Sequence, residues 1–379
     1  MRIATGAPGR SLESARSPMR RELLEILVDP VSKQPLRLEA DTEEDGEVFS
    51  GTLAAARGGS YPIVAAIPRF VLTEDAGQRQ TESSFGYKWT KRDSFGSEGM
   101  KAELHSWFIE RYGFGSGEEM RAFFAARGRT LDAGCGAGFS TSAWLSDGWT
   151  DGTAEWIGAD ISAAIDVARE RLGGIEGTHF VQADILQLPF AAESFDAIIS
   201  EGVLHHTPST RRGFLALARL LRPGGELMVY VYRRKAPIRE FTDDYVRGLV
   251  VDLPPEEAWE AMRPLTRLGQ TLAELGVEVE VPEDVPLLGI PAGRYDLQRL
   301  VYWHVAKLFW NPSMTFEENT HVNFDWYAPR YAHRHTEEEV RGWCADAGLE
   351  IVHLDAQEAG FTVRAVKAAV ELGRLRTSS

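Results

Sequence analysis

The sequence predicts an α/β fold built on a doubly wound, mostly parallel sheet, and two observations carry that expectation. From Arg129 to Tyr232, short apolar runs alternate with amphipathic stretches of helical period, which is the pattern of repeated strand–helix–strand units. Between the first strand and the first helix of that stretch lies Leu131-Asp132-Ala133-Gly134-Cys135-Gly136-Ala137-Gly138. Such a glycine run lets the chain turn sharply and lets a ligand approach bare backbone.

The expected strands are 130–133, 156–160, 179–182, 197–200 and 226–232, with helices in the intervals. Thr207 followed by Pro208 reads as the start of a helix through Leu221, and Arg222-Pro223-Gly224-Gly225 as its stop. Residues 235–334 lose this rhythm and are rich in aromatics and prolines, so they read as an insertion without clear strand alternation. The doubly wound pattern then resumes: Thr336 and Glu339 form a capping box for a helix ending near Ala347-Gly348, followed by strands over 350–354 and 361–366.

Length and charge bound the function. A chain of 379 residues suits two domains, or one domain with a large insertion. Forty-one basic against 56 acidic side chains leave a formal charge of −15, which opposes the phosphate attraction of most nucleic-acid binders. The expected partners are therefore a small-molecule acceptor, no nucleic acid and no membrane, with a homo-oligomer left open. No apolar run approaches the roughly 20 residues of a membrane-spanning helix. Two isolated cysteines, Cys135 and Cys344, offer neither a disulfide framework nor a cysteine metal site and suit a reducing cytoplasm. Residues 1–18 lack a secretory apolar core and read as a disordered leader, and 368–379 as a tail.

Beyond the glycines, Asp160 falls 22 residues after Gly138, where doubly wound folds place a carboxylate that accepts from ribose hydroxyls. Ala183-Asp184-Ile185 follows the third strand with a second carboxylate. Four motifs then stand in order: Leu-Asp-Ala-Gly-Cys-Gly-Ala-Gly-Phe, Gly-Ala-Asp-Ile-Ser, Gln-Ala-Asp-Ile-Leu-Gln-Leu-Pro-Phe with Phe195-Asp196, and Leu-Arg-Pro-Gly-Gly-Glu-Leu. Over about 110 residues this stretch resembles the class I S-adenosylmethionine-dependent methyltransferases, whose fold is Rossmann-like. The branch it resembles contains ubiquinone and menaquinone biosynthesis enzymes and natural-product methyltransferases.

The resemblance implies S-adenosyl-L-methionine as cofactor. It places Asp132, Gly134, Cys135, Gly136 and Gly138 at the methionine end, Asp160 and Ile161 at the ribose, and Asp184 and Ile185 at the adenine. Glu201 and Gly202, after the fourth strand, would face the methionine portion. Methyl transfer is an in-line displacement that needs alignment first, and a base only for acceptors that must lose a proton. His205 and His206 are the candidates for that base.

Residues 19–72, with Leu-Leu-Glu-Ile-Leu-Val-Asp-Pro-Val-Ser-Lys-Gln-Pro-Leu and later Tyr-Pro-Ile and Ile-Pro, resemble the small zinc-ribbon-like domain that accompanies several methyltransferases. A helix-like start over 21–27 precedes its strands. Asp29 and Ser32 stand where metal-binding relatives carry cysteines, and the unit offers no thiol or imidazole, so no zinc is expected. Residues 73–128 read as a connector and helical lead-in. Within the polar segment 73–99, Phe85-Gly86-Tyr87-Lys88-Trp89 resembles a segment that lies near the cofactor in bacterial methyltransferases with such a fusion.

The insertion offers Tyr295, His304, His321, Asn323, Tyr327 and Tyr331 as substrate-binding candidates, since dense aromatics with a few polar groups suit a pocket for a mainly apolar or planar acceptor. His321, His333, His335 and Asp325 lack a metal-ligand spacing, and no metal is expected. Glu43-Glu44-Asp45 reads as a solvated turn. The functional expectation is O-, N- or C-directed methylation of a small molecule in specialised metabolism. Its rivals are a tRNA or protein methyltransferase and a noncatalytic interaction protein that keeps the fold.

Overall fold

The computed structural model describes residues 19–44, 47–71, 75–91, 97–145 and 154–369. Residues 1–18, expected as a leader, Asp45 of the acidic run and 370–379 of the expected tail lie outside the described residues.

The core strands run in the order Thr178–Ala183, Glu155–Asp160, Arg129–Ala133, Phe195–Glu201, Leu221–Tyr232, Gly360–Lys367 and Leu349–Ala356. The first five are mutually parallel, and Gly360–Lys367 is antiparallel to both of its neighbours. This is a Rossmann-like doubly wound sheet with an antiparallel edge. Its strand order reverses at Arg129–Ala133, so ligands are expected at the carboxyl ends on either side of that strand. Buried Leu131, Ile157, Val181, Ile198, Leu227 and Val363 form one apolar layer beneath the sheet, as near-continuous apolar strands must when both faces are covered.

Residues 19–71 do not stand apart from this core. Ile67–Phe70 pairs in parallel with Thr178–Ala183, and Ser60–Val64, Glu47–Ala55 and Met19–Arg20 extend the same sheet, with Leu36–Glu44 also on Glu47–Ala55. Arg69 secures the junction through Asp166 (2.6 Å) and Gln182 (3.0 Å), and Met19, Leu23, Leu53 and Phe70 share the apolar layer of the core. The helix-like start is a 3-10 turn, Arg21–Glu25, and Glu43 and Glu44 lie on an exposed strand rather than a turn. The buried Asp29 carboxylate accepts from Val31 N (3.0 Å), Ser32 N (2.6 Å), Gly59 N (3.4 Å) and Tyr61 Oη (2.8 Å).

Two local expectations are corrected. The segment expected as a polar connector contains a 15-residue helix, Ala76–Thr90, capped by Asp75 accepting from Gln78 N at 2.7 Å. Its buried face carries Gln78, Thr81, Ser84 and Lys88 in place of aliphatics, so hydrophobic periodicity does not reveal it. The helix expected from Thr207 begins at Thr210, because Ser209 accepts from Arg212 N while the Thr207 hydroxyl turns back to Leu204 O. The insertion is mainly helical: helices Pro237–Val250, Pro255–Glu274, Leu297–His304 and Phe316–Tyr327 accompany a hairpin, Glu278–Val281 with Gly293–Asp296. Trp259, Phe324, Trp326 and Tyr327 give it a core that reaches Tyr232 of the main sheet. The capping box at Thr336 is present and starts helix Glu337–Asp346.

Candidate active site

A cavity of about 290 Å³ opens at the strand-order reversal. Its floor is the glycine loop. Gly134 and Gly136 have φ of 91° and 54°, and a Cβ there would stand 2.4 Å from Val203 and 2.9 Å from Trp89. The loop therefore presents bare backbone to the cavity. Asp160 braces it: one carboxylate oxygen accepts from Gly136 N at 2.9 Å and the other from Ser162 N and Oγ at 2.8 and 2.6 Å. Burial raises the Asp160 pKa against the pull of those donors.

Cys135, Ile161, Asp184, Ile185, Glu201 and Gly202 also line the cavity. Asp184 accepts from Leu186 N at 2.8 Å, and burial raises its pKa. Glu201 accepts from Arg111 Nη2 at 3.0 Å and Tyr112 Oη at 2.5 Å. Two expected cofactor residues stand behind the wall. Gly138 caps helix Phe139–Trp144 and backs onto Leu172 and Ala168. Asp132 is buried beneath the loop with Thr141 Oγ1 donating to it at 2.6 Å, and burial pushes its pKa up to about 7.

The two histidines part company. His206 lines the cavity, with its Nδ1 2.6 Å from Tyr331 O. A carbonyl only accepts, so Nδ1 carries the proton and Nε2, buried without a protein partner, keeps its lone pair. Burial lowers its pKa to about 4. His205 is fully buried, stacks on Tyr232 at 3.5 Å, has no partner on either nitrogen and does not line the cavity.

None of the six residues of the insertion expected to hold substrate lines this cavity. Tyr295 donates to Pro291 O and packs on His304 in the hairpin region. Asn323 holds the backbone of Phe309 and the hydroxyl of Thr266. Tyr327 bonds Asp243 and Lys307 N, His321 packs between Trp89 and Trp259, and Tyr331 donates to Asp75. The polar groups of Tyr295, Asn323, Tyr327 and Tyr331 hold the insertion together or to its neighbours, which spacing along the chain does not distinguish from facing a ligand. The insertion reaches the cavity through Asp325, which accepts from Lys88 Nζ at 2.6 Å and Tyr232 Oη at 3.3 Å. Burial pushes its carboxyl upward, yet Lys88, by charge and by its hydrogen bond, with the imidazoles of His206 and His321, holds it well below the usual range.

Sequence reasoning missed Gln78, Thr81, Glu82, Arg111 and Tyr230 as lining residues. The first three, with Phe85, Lys88 and Trp89, recur at helical spacing, a signal that a polar and aromatic stripe search would have found. No cluster of His, Cys, Asp or Glu able to hold a metal ion occurs among the described residues. No described helix is long and apolar enough to cross a membrane.

A family model described as "Methyltransferase domain" matches residues 131–229. The chain is 42% identical over 132 residues to an uncharacterized protein of Synechococcus sp., covering 32% of this chain and 30% of that protein. It is 36% identical over 102 residues to the demethylmenaquinone methyltransferase of Clavibacter sepedonicus, covering 27% and 40%. It is 37% identical over 114 residues to the probable tRNA methyltransferase 9B of Bos taurus, covering 29% and 22%. The chain thus spans less than half the length of these relatives. The last of them removes the support for excluding nucleic acid that net charge had offered. The glycine loop, the carboxylates on successive strand ends and this match converge on one stretch, and residues 131–229 are a methyltransferase domain.

Proposed function

We propose that this chain transfers a methyl group from S-adenosyl-L-methionine to an uncharged small-molecule acceptor, in specialised metabolism and in the cytoplasm. The observation that carries the reading is a single cavity joining a glycine loop closed to side chains, carboxylates at successive strand ends, and a histidine whose tautomer leaves Nε2 open. Five carboxylates (Glu82, Asp160, Asp184, Glu201, Asp325) face two cationic side chains, Lys88 and Arg111, around it. Such a lining favours a cofactor with net positive charge.

The bound cofactor would supply an electrophilic methyl carbon on a sulfonium sulfur. The Gly134–Gly136 backbone and Glu201 would hold its amino-acid end, Asp160 its ribose hydroxyls, and Asp184 with Ile185 its adenine. His206 Nε2 would accept the proton that a hydroxyl or carbon acid must lose. Asp325, bonded to the Tyr232 hydroxyl and close enough to raise the affinity of His206 for a proton, would stabilise the imidazolium so formed. Phe85, Trp89 and Tyr232 would exclude water from the transfer.

Two observations favour an uncharged acceptor. The cations lining the cavity are already engaged, Lys88 with Asp325 and Arg111 with Glu201, and the remaining carboxylates oppose a phosphate. A second reading, a tRNA acceptor, is favoured by the likeness to the probable tRNA methyltransferase 9B. The test is calorimetry with S-adenosylmethionine, followed by transfer of a labelled methyl group into a small-molecule extract and into bulk tRNA. Absence of cofactor binding would remove the whole reading. Label in tRNA alone, with binding that weakens steeply in salt, would transfer it to the second.

A further inference from the structure

Helix Ala76–Thr90 precedes the segment matched by the family model and belongs to no strand–helix repeat. It turns Gln78, Thr81, Glu82 and Phe85 toward the cavity at helical spacing. Gln78 is 5% exposed and Thr81 2%. Buried polar side chains in folded proteins find partners as a rule, and the other two on this buried face do: Ser84 accepts from Gln80 Nε2 at 3.0 Å and Lys88 donates to Asp325. Gln78 Oε1 and Thr81 Oγ1 have none, and both belong to cavity-lining residues. Two orphaned buried polar atoms, one turn apart and at the wall of a cavity, mark where a ligand's hydrogen bonds belong.

The chemistry of that wall identifies the part of the ligand. Glu82 lies close enough to Asp160 and Asp184 for each to raise its pKa, beneath the larger effect of burial. Three carboxylates and an amide oxygen make an end of the cavity that accepts hydrogen bonds. A ribose diol and an exocyclic amine donate them, whereas a phosphorylated nucleoside would meet like charge.

We propose that helix Ala76–Thr90 is one wall of the nucleoside site, where Gln78, Thr81 and Glu82 hydrogen-bond the hydroxyls and amine of an adenosine moiety. The assignment rests on the cofactor reading above and extends it to residues outside the methyltransferase domain. The same helix also holds the insertion, through Gln80, on its other side, to Val251 O and Ala328 O, and through Lys88, on the cavity face, to Asp325. The nucleoside wall and Asp325, the insertion's residue in the cavity lining, are thereby tied to one helix.

The test is calorimetry of the full chain, and of Thr81→Val, Thr81→Ser, Gln78→Ala and Glu82→Gln, with S-adenosylhomocysteine and with 5′-methylthioadenosine, which keeps the nucleoside and lacks the amino acid. Thr81→Val, Gln78→Ala and Glu82→Gln are each expected to weaken both ligands by the same factor, on the order of tenfold, while Thr81→Ser keeps the parent affinity. Without ligand, Thr81→Val is expected to melt no lower than the parent, since it removes an unpartnered hydroxyl without changing shape; this separates lost binding from lost folding. Parent affinity for methylthioadenosine in all three weakened variants would overturn the wall and leave the cofactor reading standing. Failure of the parent chain to bind either ligand would overturn both.

Discussion

His206 Nδ1 lies 2.6 Å from the backbone oxygen of Tyr331, and that hydrogen bond decides which nitrogen of the ring can act. Tyr331 comes from the end of the insertion, so the insertion sets the tautomer of a side chain carried by the turn that follows strand Phe195–Glu201. Burial keeps the ring neutral, with a pKa of about 4.

The first prediction separates the neighbouring histidines. His206→Ala is expected to lower kcat by a factor of roughly 10² to 10⁴, the usual worth of a positioned base. His205→Ala instead removes a ring stacked on Tyr232 and is expected to lower the melting temperature. Labelled-methyl transfer and thermal melting of both variants check this, and equal kcat losses would contradict it. Nitrogen NMR should find Nδ1 protonated and the ring neutral down to about pH 5, because the folded pKa lies below the unfolded value near 6.5. The stability His206 contributes is therefore complete above about pH 6.5 and is lost as pH falls toward about 4.

Asp132 behaves in the opposite sense. Its pKa rises to about 7 when folded, chiefly from burial, against roughly 3.9 unfolded. Between those values the folded chain keeps a proton that the unfolded chain has released, so stability is lost as pH rises from about 4 to about 7. Asp132→Asn is expected to be more stable than the parent at about pH 8, by up to about 4 kcal/mol, and to match it near pH 4. Urea unfolding at both pH values measures this; a difference independent of pH would show that the carboxyl is not the titrating group.

The glycine loop yields a contrast of three substitutions. Gly134→Ala and Gly136→Ala put a methyl group against Val203 and Trp89 at positive φ, and both are expected to abolish measurable cofactor binding. Gly202→Ala also has positive φ (73°), but no protein atom lies within 4 Å of its Cβ, so the fold is expected to lose only backbone strain of about 1–2 kcal/mol, while cofactor binding is expected to weaken because the methyl group enters the cavity that Gly202 lines. Calorimetry beside thermal melts distinguishes the two kinds of loss.

Asp29 makes a prediction far from the cavity. Burial pushes its carboxyl upward, yet the bonds from Ser32, Tyr61 and Val31 prevail and hold it at about 2. Its contribution is present above the unfolded value near 3.9 and lost as pH falls through about 2. Asp29→Ala leaves several donors unanswered and is expected to cost about 2–3 kcal/mol. A chelator is expected to leave the melting temperature of the parent unchanged, and a chelator-sensitive melt would restore a metal to this unit.

How much of this was legible in the chain depends on the range of the interaction that fixes each part. The strands around Arg129–Ala133, the turn at Gly134–Gly138, Asp160 and Asp184 were readable because each is set locally, by short continuous apolar runs, by glycine conformational freedom, or by a short distance past a strand end. The capping box at Thr336 and Glu339 was legible for the same reason. Helix Ala76–Thr90 escaped because a helix that buries polar atoms against a cavity lacks the apolar stripe that periodicity detects.

What only tertiary structure decided are the partnerships between distant segments. These are Ile67–Phe70 joining the main sheet beside Thr178–Ala183, Lys88 meeting Asp325, and Tyr331 choosing the tautomer of His206. Tyr327 and Asn323 share their helix with Asp325, yet they bind the protein's own backbone and side chains while Asp325 faces the cavity. Residue type and spacing are alike for both outcomes, and the choice lies in which neighbour the folded chain brings within hydrogen-bond reach.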